Sequence, residues 1–289
     1  MIALVIYNEY SRKGKKLNIN YICDKLRTKY AYVDLYRMSS KEDNLNYLSI
    51  NIPKYDLLVV IGGDGTIGEV VNVLGRLKTK SQVAIIPAGT CNDMARNLCM
   101  PRNIKKTMDV ILKGKTDKYN LYKVNDNYFI YGLACGMISD ASYKAQYKNK
   151  KYFGKLAYYF KGLFNIKNSK YLDLSITANN KVINGTYSLL LCLNSKHLAG
   201  FKLKIDSDKK LKLVLIKKTN KLIETINLAM FLFFGQKYKR NITYIDSTHF
   251  EITSKQSIAI NTDGEYIGSF DKLNIEIIPN ILTMINNKD

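Results

Sequence analysis

The chain has 289 residues, of which 46% are hydrophobic, and its 45 basic and 24 acidic residues give a formal net charge of +21. Its longest apolar runs, such as 228–234, fall far short of the roughly 20 residues that span a membrane, so we expect a globular protein that does not cross one. The charge suits an anionic partner, such as a nucleic acid, a membrane or an anionic ligand. Because the lysines are spread along the whole chain, a solvated basic surface without a specific partner is the alternative.

The first residues and the cysteines bear on the cellular compartment. The chain begins with a strand-like run, Ile2 to Ile6, which is too short and too uncharged upstream for a secretion signal. The five cysteines form no CxxC pair, and there are only two histidines. We therefore expect no zinc-type site, and reduced thiols in a cytosolic protein.

Strands and helices alternate in the first part of the chain. Apolar runs predict strands, and the apolar spacing between residues 19 and 26 predicts one face of a helix. This alternation favours a doubly wound, mostly parallel α/β sheet, in which ligands bind beyond the carboxyl ends of the strands. A further helix is predicted from 104 to 113 and ends at Gly114. The predicted strands are 2–7, 31–36, 57–61 and 83–86.

The loop Gly62-Gly63-Asp64-Gly65-Thr66 follows an apolar strand and precedes an amphipathic helix. Glycine lets backbone N–H groups approach a ligand and permits positive φ, and a helix N-terminus favours an anion. The pattern favours a phosphate-binding loop in which Asp64 holds a metal ion or a ribose hydroxyl. A sharp turn without a ligand is the alternative. A second glycine-bearing loop, Pro87 to Asp93, ends the next strand, so both loops are expected at one edge of the sheet.

Beyond residue 120 the pattern changes to strands rich in β-branched, leucine and aromatic residues. Because most connections are too short for crossover helices, this half is predicted to be a largely antiparallel β-sandwich. We place an α/β nucleotide-binding domain at 1–120 and a β-sandwich domain at 121–279, with 280–289 able to pack back on the first. The predicted strands are 119–124, 128–133, 171–177, 187–193, 211–216, 250–253, 257–261 and 273–278.

Two segments interrupt this β pattern. Between 145 and 167, six lysines are interleaved with aromatic and leucine residues at helical spacing. Such a segment can meet anionic lipid headgroups, and a helix docked on the sandwich by its apolar face is the alternative. The second segment, Ile226 to Phe234, is followed by Lys237, Lys239 and Arg240. It is predicted to be a buried helix with a basic exit, with membrane contact as the alternative.

Phosphoryl transfer needs a site for the nucleotide phosphates, a cation that neutralises their charge and a base for the acceptor hydroxyl. In the first half of the chain, Thr66 and Thr90 can donate hydroxyls to phosphate, and Asn92, Asp93 and Arg96 lie close behind. The two glycine-bearing loops therefore supply the first two requirements. The sequence contains neither the GxxxxGK[ST] motif of P-loop proteins nor the GxSxG motif of hydrolases.

The base is sought in the second half, where Asp263-Gly264-Glu265 follows a predicted strand. A tight turn there can aim both carboxylates into a cleft between the two domains. A plain Asp-Gly hairpin is the alternative, because this dipeptide is a common hairpin signal.

With these motifs the sequence resembles the diacylglycerol kinase catalytic-domain family of lipid kinases, to which the sphingosine kinases are related, and the resemblance runs almost end to end. Gly62 to Thr66 is the GGDGT signature of that family, and Pro87 to Asp93 matches its Pro-x-Gly-Thr-x-Asn-Asp loop. NAD kinases share only the GGDGT element and carry an Asn-Glu pair as their second motif. Further matches are Asn8 to Arg12, Tyr128 to Gly136, Phe153 to Tyr158 and Asp263 to Glu265.

The resemblance implies an ATP- and Mg²⁺-dependent lipid kinase that phosphorylates a lipid hydroxyl, with diacylglycerol converted to phosphatidic acid as the leading expectation. It implies Glu265 as the proton acceptor, Asp263 as its partner and Asp64 as part of the metal–nucleotide network. A structural Mg²⁺ would map to Asp208, helped by backbone oxygens of Ile205 and Lys210. The implied ATP contacts are Asn8, Ser11, Arg12, Ser39, Gly63, Asp64, Gly65, Thr66, Glu69 and Thr90.

The implied partners are the lipid substrate at a membrane surface and anionic phospholipid headgroups, in a cytoplasmic protein associated peripherally with the membrane. Nucleic acid is not expected as a partner, and a homodimer through an exposed sheet edge stays open. The shared GGDGT element leaves an NAD kinase as one alternative. Several residues depart from the family pattern, which leaves a nucleotide-binding relative with weakened catalysis as another. The departures are Glu9, Arg12, Gly68, Asn120 and Lys209.

Overall fold

The structure is a computed structural model that describes residues 1–11, 17–137, 171–195, 197–198, 201–205 and 210–288. Arg12, Asp208 and the basic segment 145–167, all singled out from the sequence, lie outside the described residues. The chain divides into two units, Met1–Leu121 with Ile278–Asp289, and Tyr122–Ile277.

The first unit is built on a parallel sheet in the order β2-β1-β3-β4, with the last part of strand β15 added in parallel beside β4. The two central strands, β1 and β3, are almost wholly buried, as their continuous apolar sequences require in a sheet covered on both faces. The strands are β1 Ile2–Tyr7, β2 Tyr32–Arg37, β3 Leu57–Gly62 and β4 Gln82–Pro87. The helices are α1 Ile19–Arg27, α2 Lys41–Asn51, α3 Asp64–Leu77, α4 Asp93–Asn97 and α5 Ile104–Lys113.

The winding of this sheet reverses between β1 and β3. From β1 the chain moves outward to β2, and it then returns to the other side of β1 to form β3 and β4. The doubly wound parallel sheet predicted from the sequence is thereby confirmed. In such folds ligands bind at the carboxyl ends of the strands on either side of this reversal, because the two loops diverge there and leave a crevice.

The second unit is antiparallel, as predicted. Its strands follow the order β13-β12-β9-β7-β14-β15, and β8 pairs with the other halves of β9 and β14. The unit boundaries fall within β5 and β15. The elements are β5 Thr116–Val124, β6 Asn127–Phe129, β7 Gly132–Gly136, β8 Leu172–Ala178, β9 Lys181–Leu193, β10 His197–Leu198, β11 Phe201–Lys202, β12 Leu211–Lys217, α6 Lys221–Phe234, β13 Ile242–Ser247, β14 His249–Thr262 and β15 Glu265–Ile285.

Two hydrophobic cores share the strands β9 and β12. Alternate residues of β9 enter different cores, with Leu190 and Cys192 in one and Leu189, Leu191 and Leu193 in the other. This is why the run from 189 to 193 is apolar at every position. Helix α6 contributes its inward side chains to the second core.

Four strand predictions in the second half were wrong in their extent. The predicted strand 128–133 is interrupted between β6 and β7, and the predicted strands 250–253 and 257–261 form one strand, β14, whose register shifts between Thr253 and Ile258. The predicted strand 273–278 is part of the 21-residue β15. A bulge lets a strand such as β14 bend without ending, and the sequence pattern at the bulge resembles that of a break between two strands.

None of the described helices is long and apolar enough to cross a membrane.

Candidate active site

Predicted ATP-contact residues follow each of the four parallel strands of the first unit. Asn8 comes directly after β1, Ser39 two residues after β2, Gly63 directly after β3, and Thr90 three residues after β4. Because the strands are parallel, these positions lie at the same edge of the sheet. The Asn8 backbone N–H donates to the Ile61 carbonyl at 3.1 Å, which joins the two loops that flank the reversal of winding.

The two glycine-bearing loops touch through their backbones. A Cβ placed on Gly89 would lie 2.4 Å from the Cα of Gly63, and one on Gly62 would lie 2.4 Å from the Cβ of Thr66. Real Cβ atoms do not approach so closely, so these positions require glycine. The sequence suggested positive φ as one use of the glycines, but Gly63 has a φ of −100°. The structure therefore assigns Gly63 and Gly89 to close packing of one loop on the other.

Asp64 ties the two loops together. Its side chain is buried, and its Oδ2 accepts a hydrogen bond from the Asn92 N–H at 3.0 Å while its Oδ1 accepts one from the Asp93 N–H at 2.8 Å. A carboxylate can accept about four hydrogen bonds or metal contacts, so this tie leaves capacity for a cation. Asn92 closes its own loop by exchanging two side-chain hydrogen bonds with the backbone of Gly89.

Side chains of the loop that follows β1 lie beside the loop Gly62 to Thr66. The Asn8 Nδ2 donates to the Thr66 Oγ1 at 3.2 Å, and Thr66 is itself buried. The Ser11 hydroxyl is buried and has no hydrogen-bond partner within the described part of the chain. Buried hydroxyls are normally paired, so an orphan at this edge of the sheet is available to a bound ligand. Gly63, which precedes α3, offers no side chain to cap the first N–H groups of that helix.

Ser39 and Glu69 belong to a second polar cluster, centred on Asn44. The Asn44 Nδ2 donates to the Glu69 carboxylate at 2.8 Å, and its Oδ1 accepts from the Ser39 N–H at 2.9 Å and from the Tyr36 hydroxyl at 3.0 Å. Hydrogen bonds from the Ser40 and Ser39 hydroxyls lower the pKa of the neighbouring Asp43 carboxyl.

Asn44 was not found from the sequence, although a signal was present. It lies four residues before Leu48 and eight before Ile52, and all three are buried on the same side of α2 and the turn that follows it. A polar residue at such a position needs hydrogen-bond partners, and here it links two of the predicted ATP contacts.

The acidic turn of the second unit is a hairpin, which was the alternative weighed above. Thr262 pairs with Glu265, and Asp263 and Gly264 between them both have positive φ, 50° and 85°. Both values fit a type I′ turn, for which Asp-Gly is a preferred sequence.

The Asp263 carboxylate points back into its own unit. It is buried and accepts from the backbone N–H groups of Ile130 at 2.8 Å, Tyr131 at 3.0 Å and Gly132 at 3.1 Å. The Tyr131 hydroxyl adds a bond of 2.9 Å to the Asp263 carbonyl. These bonds also explain why the predicted strand 128–133 is interrupted, because its backbone donors serve a side chain instead of a neighbouring strand. Asp263 therefore has the geometry of a positioning residue beside the half-buried Glu265.

The predicted structural metal site is only partly visible. Ile205 is buried and Lys210 is exposed, whereas Asp208 lies outside the described residues. Within the described ranges no group of three or more His, Cys, Asp or Glu side chains is placed to hold a metal ion. Asp64 and Asp93 are both buried, and they belong to the two touching loops.

A doubly wound sheet whose β3 and β4 end in touching glycine loops, together with an antiparallel unit that carries an acidic hairpin, is the arrangement that the sequence resemblance implies for a two-domain kinase. Comparisons with known proteins agree. The family model of the diacylglycerol kinase catalytic domain matches residues 2–124. A diacylglycerol kinase of Staphylococcus carnosus is 34% identical over 220 residues, which cover 74% of this chain and 71% of that protein.

A diacylglycerol kinase of Staphylococcus epidermidis is likewise 34% identical, over 231 residues that cover 77% of this chain and 72% of the relative. The crystal structure of a diacylglycerol kinase from Bacillus anthracis aligns with a TM-score of 0.81 at 25% identity, over 99% of this chain and 96% of that one. The chain belongs to the diacylglycerol kinase catalytic-domain family. It is accordingly a phosphotransferase with an alcohol group as acceptor.

Proposed function

We propose that this chain is an ATP- and Mg²⁺-dependent lipid kinase that converts diacylglycerol to phosphatidic acid, working in the cytoplasm at a membrane surface. The observation that carries the proposal is the pair of touching glycine loops tied by Asp64 at the reversal of the sheet. The names of the relatives supply the acceptor, because a shared loop motif alone does not separate a lipid from another alcohol.

The nucleotide fits the edge of the sheet where the four strands end. The N-terminus of α3 carries partial positive charge that favours phosphate, and the glycines beside it leave no side chain in the way. The orphaned Ser11 hydroxyl and the Thr90 hydroxyl are donors for the phosphate oxygens. The Ser39–Asn44–Glu69 cluster, at the end of β2, offers polar contacts to the rest of the nucleotide.

Mg²⁺ fits this donor set as an ion shared between protein and phosphate. Magnesium in kinases is usually held by one or two carboxylates together with phosphate oxygens and water, and not by an all-protein cage. Asp64 and Asp93 supply such carboxylates. When bound, the ion neutralises the phosphate charge that builds up during transfer.

On the acceptor side, Glu265 takes the proton of the lipid hydroxyl. The hydroxyl oxygen of the lipid attacks the γ-phosphorus of ATP at the same time. The new bond joins that oxygen to phosphorus, the bond from phosphorus to the β–γ bridging oxygen breaks, and ADP leaves with the bridging oxygen. Asp263 does not touch the acceptor in this scheme. It fixes the hairpin that carries Glu265 by its bonds to three backbone N–H groups.

The test is a radiolabel transfer assay with purified protein, ATP and Mg²⁺ against a panel of acceptors in mixed micelles: diacylglycerol, a long-chain amino alcohol, ceramide, and NAD in solution. Labelled phosphatidic acid is the expected product, lost in Glu265→Gln and kept in Asp271→Asn, an exposed acid on the same strand. ATP binding should survive in Glu265→Gln.

The result distinguishes the alternatives. Phosphorylation of NAD with no lipid product identifies an NAD kinase. ATP binding without turnover of any acceptor identifies a nucleotide-binding relative with weakened catalysis. Full turnover by Glu265→Gln overturns the assignment of the base.

A further inference from the structure

Helix α6 exposes large apolar side chains on the face that points away from its own core. Leu222, Ile226 and Phe233 are 72%, 48% and 64% exposed. Their spacing of four and seven residues puts them on one face of the helix. The sequence predicted a buried helix here, but burial covers only the opposite face, through Leu228 and Phe231.

The polar residues of α6 show the reverse arrangement. Glu224 and Asn227 are fully or almost fully buried, and each accepts a hydrogen bond, from the Thr219 N–H and the Tyr238 hydroxyl respectively. The inward face of the helix therefore holds polar as well as apolar side chains, while large apolar side chains lie on its outward face. Large apolar side chains exposed on one face, with basic residues beside them, are typical of surfaces that bind a protein or a membrane.

Basic residues stand at both ends of the stripe. At its start, Lys218 precedes the helix and Lys221 is its first residue, and their Nζ atoms lie 4.5 and 4.3 Å from the centroid of the Tyr171 ring. After it come the exposed Lys237, Lys239 and Arg240. From 217 to 240 the sequence has six basic residues and a single acid, Glu224, whose side chain is 0% exposed.

We propose that the outward face of α6, defined by Leu222, Ile226 and Phe233, is a membrane-docking surface that inserts into a bilayer containing anionic lipid. The apolar side chains enter the boundary between headgroups and acyl chains while the lysines at the two ends meet anionic headgroups. A helix with an apolar face and basic flanks lies along such an interface. This inference rests on the membrane location given in the proposed function and names the surface responsible, but its test concerns binding and does not depend on kinase turnover.

Charge favours a lipid surface over a second copy of the chain. Two copies related by a twofold axis would bring the same patch against itself. The basic ends of the two helices would then face basic ends, in a chain whose net charge is already +21. An anionic bilayer can bury the apolar stripe and also neutralise the basic residues at its two ends.

A tryptophan probe tests the insertion directly, because the chain contains no tryptophan. Phe233→Trp is compared with Ile50→Trp, whose native side chain is 68% exposed but lies in the first unit. The vesicles contain phosphatidylcholine with and without phosphatidylglycerol, and neither nucleotide nor acceptor is present. The emission of Phe233→Trp should shift to the blue and be quenched by brominated acyl chains with anionic vesicles only, whereas Ile50→Trp should not respond.

Substitution of the stripe gives a second, independent readout. The triple variant Leu222→Gln, Ile226→Gln, Phe233→Gln keeps good helix formers on an exposed face and should fold. We expect it to bind anionic vesicles at least about tenfold more weakly. The matched control replaces Leu35, Ile50 and Val182, which are also exposed, by glutamine and should bind as the native chain does.

Several results would overturn the proposal. These are an unshifted tryptophan spectrum, vesicle binding by the triple variant equal to that of its control, or binding that does not depend on phosphatidylglycerol. Loss of a dimer in the triple variant on size-exclusion chromatography, without loss of vesicle binding, would assign the face to a second copy. Because vesicle binding is measured without substrates, a failed kinase assay leaves these results unaffected.

Discussion

The substitution Asp263→Asn separates a positioning role from a chemical one. Asparagine is as well suited as aspartate to the first position of a type I′ turn, where φ is 50°, so the hairpin itself tolerates the change. What changes is the acceptor set. One carboxylate oxygen becomes an NH₂ group that faces a backbone N–H, and the other loses its charge.

The expected cost follows from the bonds that are lost. With the amide oxygen kept toward Tyr131 and Gly132, the buried N–H of Ile130 has no acceptor. A buried, unsatisfied donor costs about 1–3 kcal/mol, and two bonds that change from charged to neutral lose about 1 kcal/mol each. We therefore expect about 3–5 kcal/mol of destabilisation, or a melting temperature lower by roughly 6–20 °C for a unit of this size.

Thermal unfolding and the kinase assay, run on the same three variants, test this reasoning. Asp263→Asn should lose both stability and turnover. Glu265→Gln should lose turnover at nearly native stability, and Asp271→Asn, an exposed acid on the same strand, should change neither. If Asp263→Asn has the same melting temperature as Asp271→Asn, the Asp263 carboxylate does not hold the hairpin, and the assignment of a positioning role is refuted.

Three further predictions concern other parts of the two units. Gly89→Ala would place a Cβ 2.4 Å from the Cα of Gly63, so the loops must separate, and we expect about 1–3 kcal/mol of destabilisation with weakened ATP binding by calorimetry. Asp64→Asn should lower the stability of the ligand-free protein by about 1–3 kcal/mol, because the Asp64 carboxylate ties the two loops. It should also abolish the Mg²⁺ dependence of ATP binding. If that dependence persists, Asp64 holds the loops together but does not bind the ion. Burial raises the pKa of Tyr244 to about 12, so above pH 10 the unfolded state loses this proton first and stability falls as pH rises. Tyr244→Phe should flatten that part of the stability profile in urea titrations, and an unchanged slope would contradict the assignment.

The first unit could be predicted from its sequence because its information is local. Continuous apolar runs define β1 and β3, and Gly114 ends α5 with a φ of 71°, as expected of a glycine after the last helical turn. Helix α2 was not predicted, since buried Asn44 replaces an apolar residue on the face that carries Leu48. The buried asparagine that hides the helix in the sequence is also the residue that links Ser39 and Glu69, two of the predicted ATP contacts.

The second unit was harder to predict because its deciding contacts are distant in sequence. Asp263 meets Ile130, Tyr131 and Gly132, which precede it by 131 to 133 residues. Spacing along the chain carries no trace of such a contact. The exposure of the outward apolar face of α6 could not be predicted either, since a helix that is apolar on most sides has the same sequence pattern whether it is enclosed or half exposed.

The two acidic motifs share a physical arrangement that bears on how their variants are interpreted. Asp64 uses both carboxylate oxygens on the backbone N–H groups of Asn92 and Asp93, and Asp263 uses both of its oxygens on three N–H groups of a distant segment. Each acid therefore stabilises a loop before it can contribute to any reaction. Loss of activity on neutralising either one does not identify a reacting group, because the same change releases the loop that presents its neighbours. Glu265, half-buried at the start of β15, is the residue for which stability and turnover should separate, and that separation distinguishes a reacting group from a residue that holds a loop.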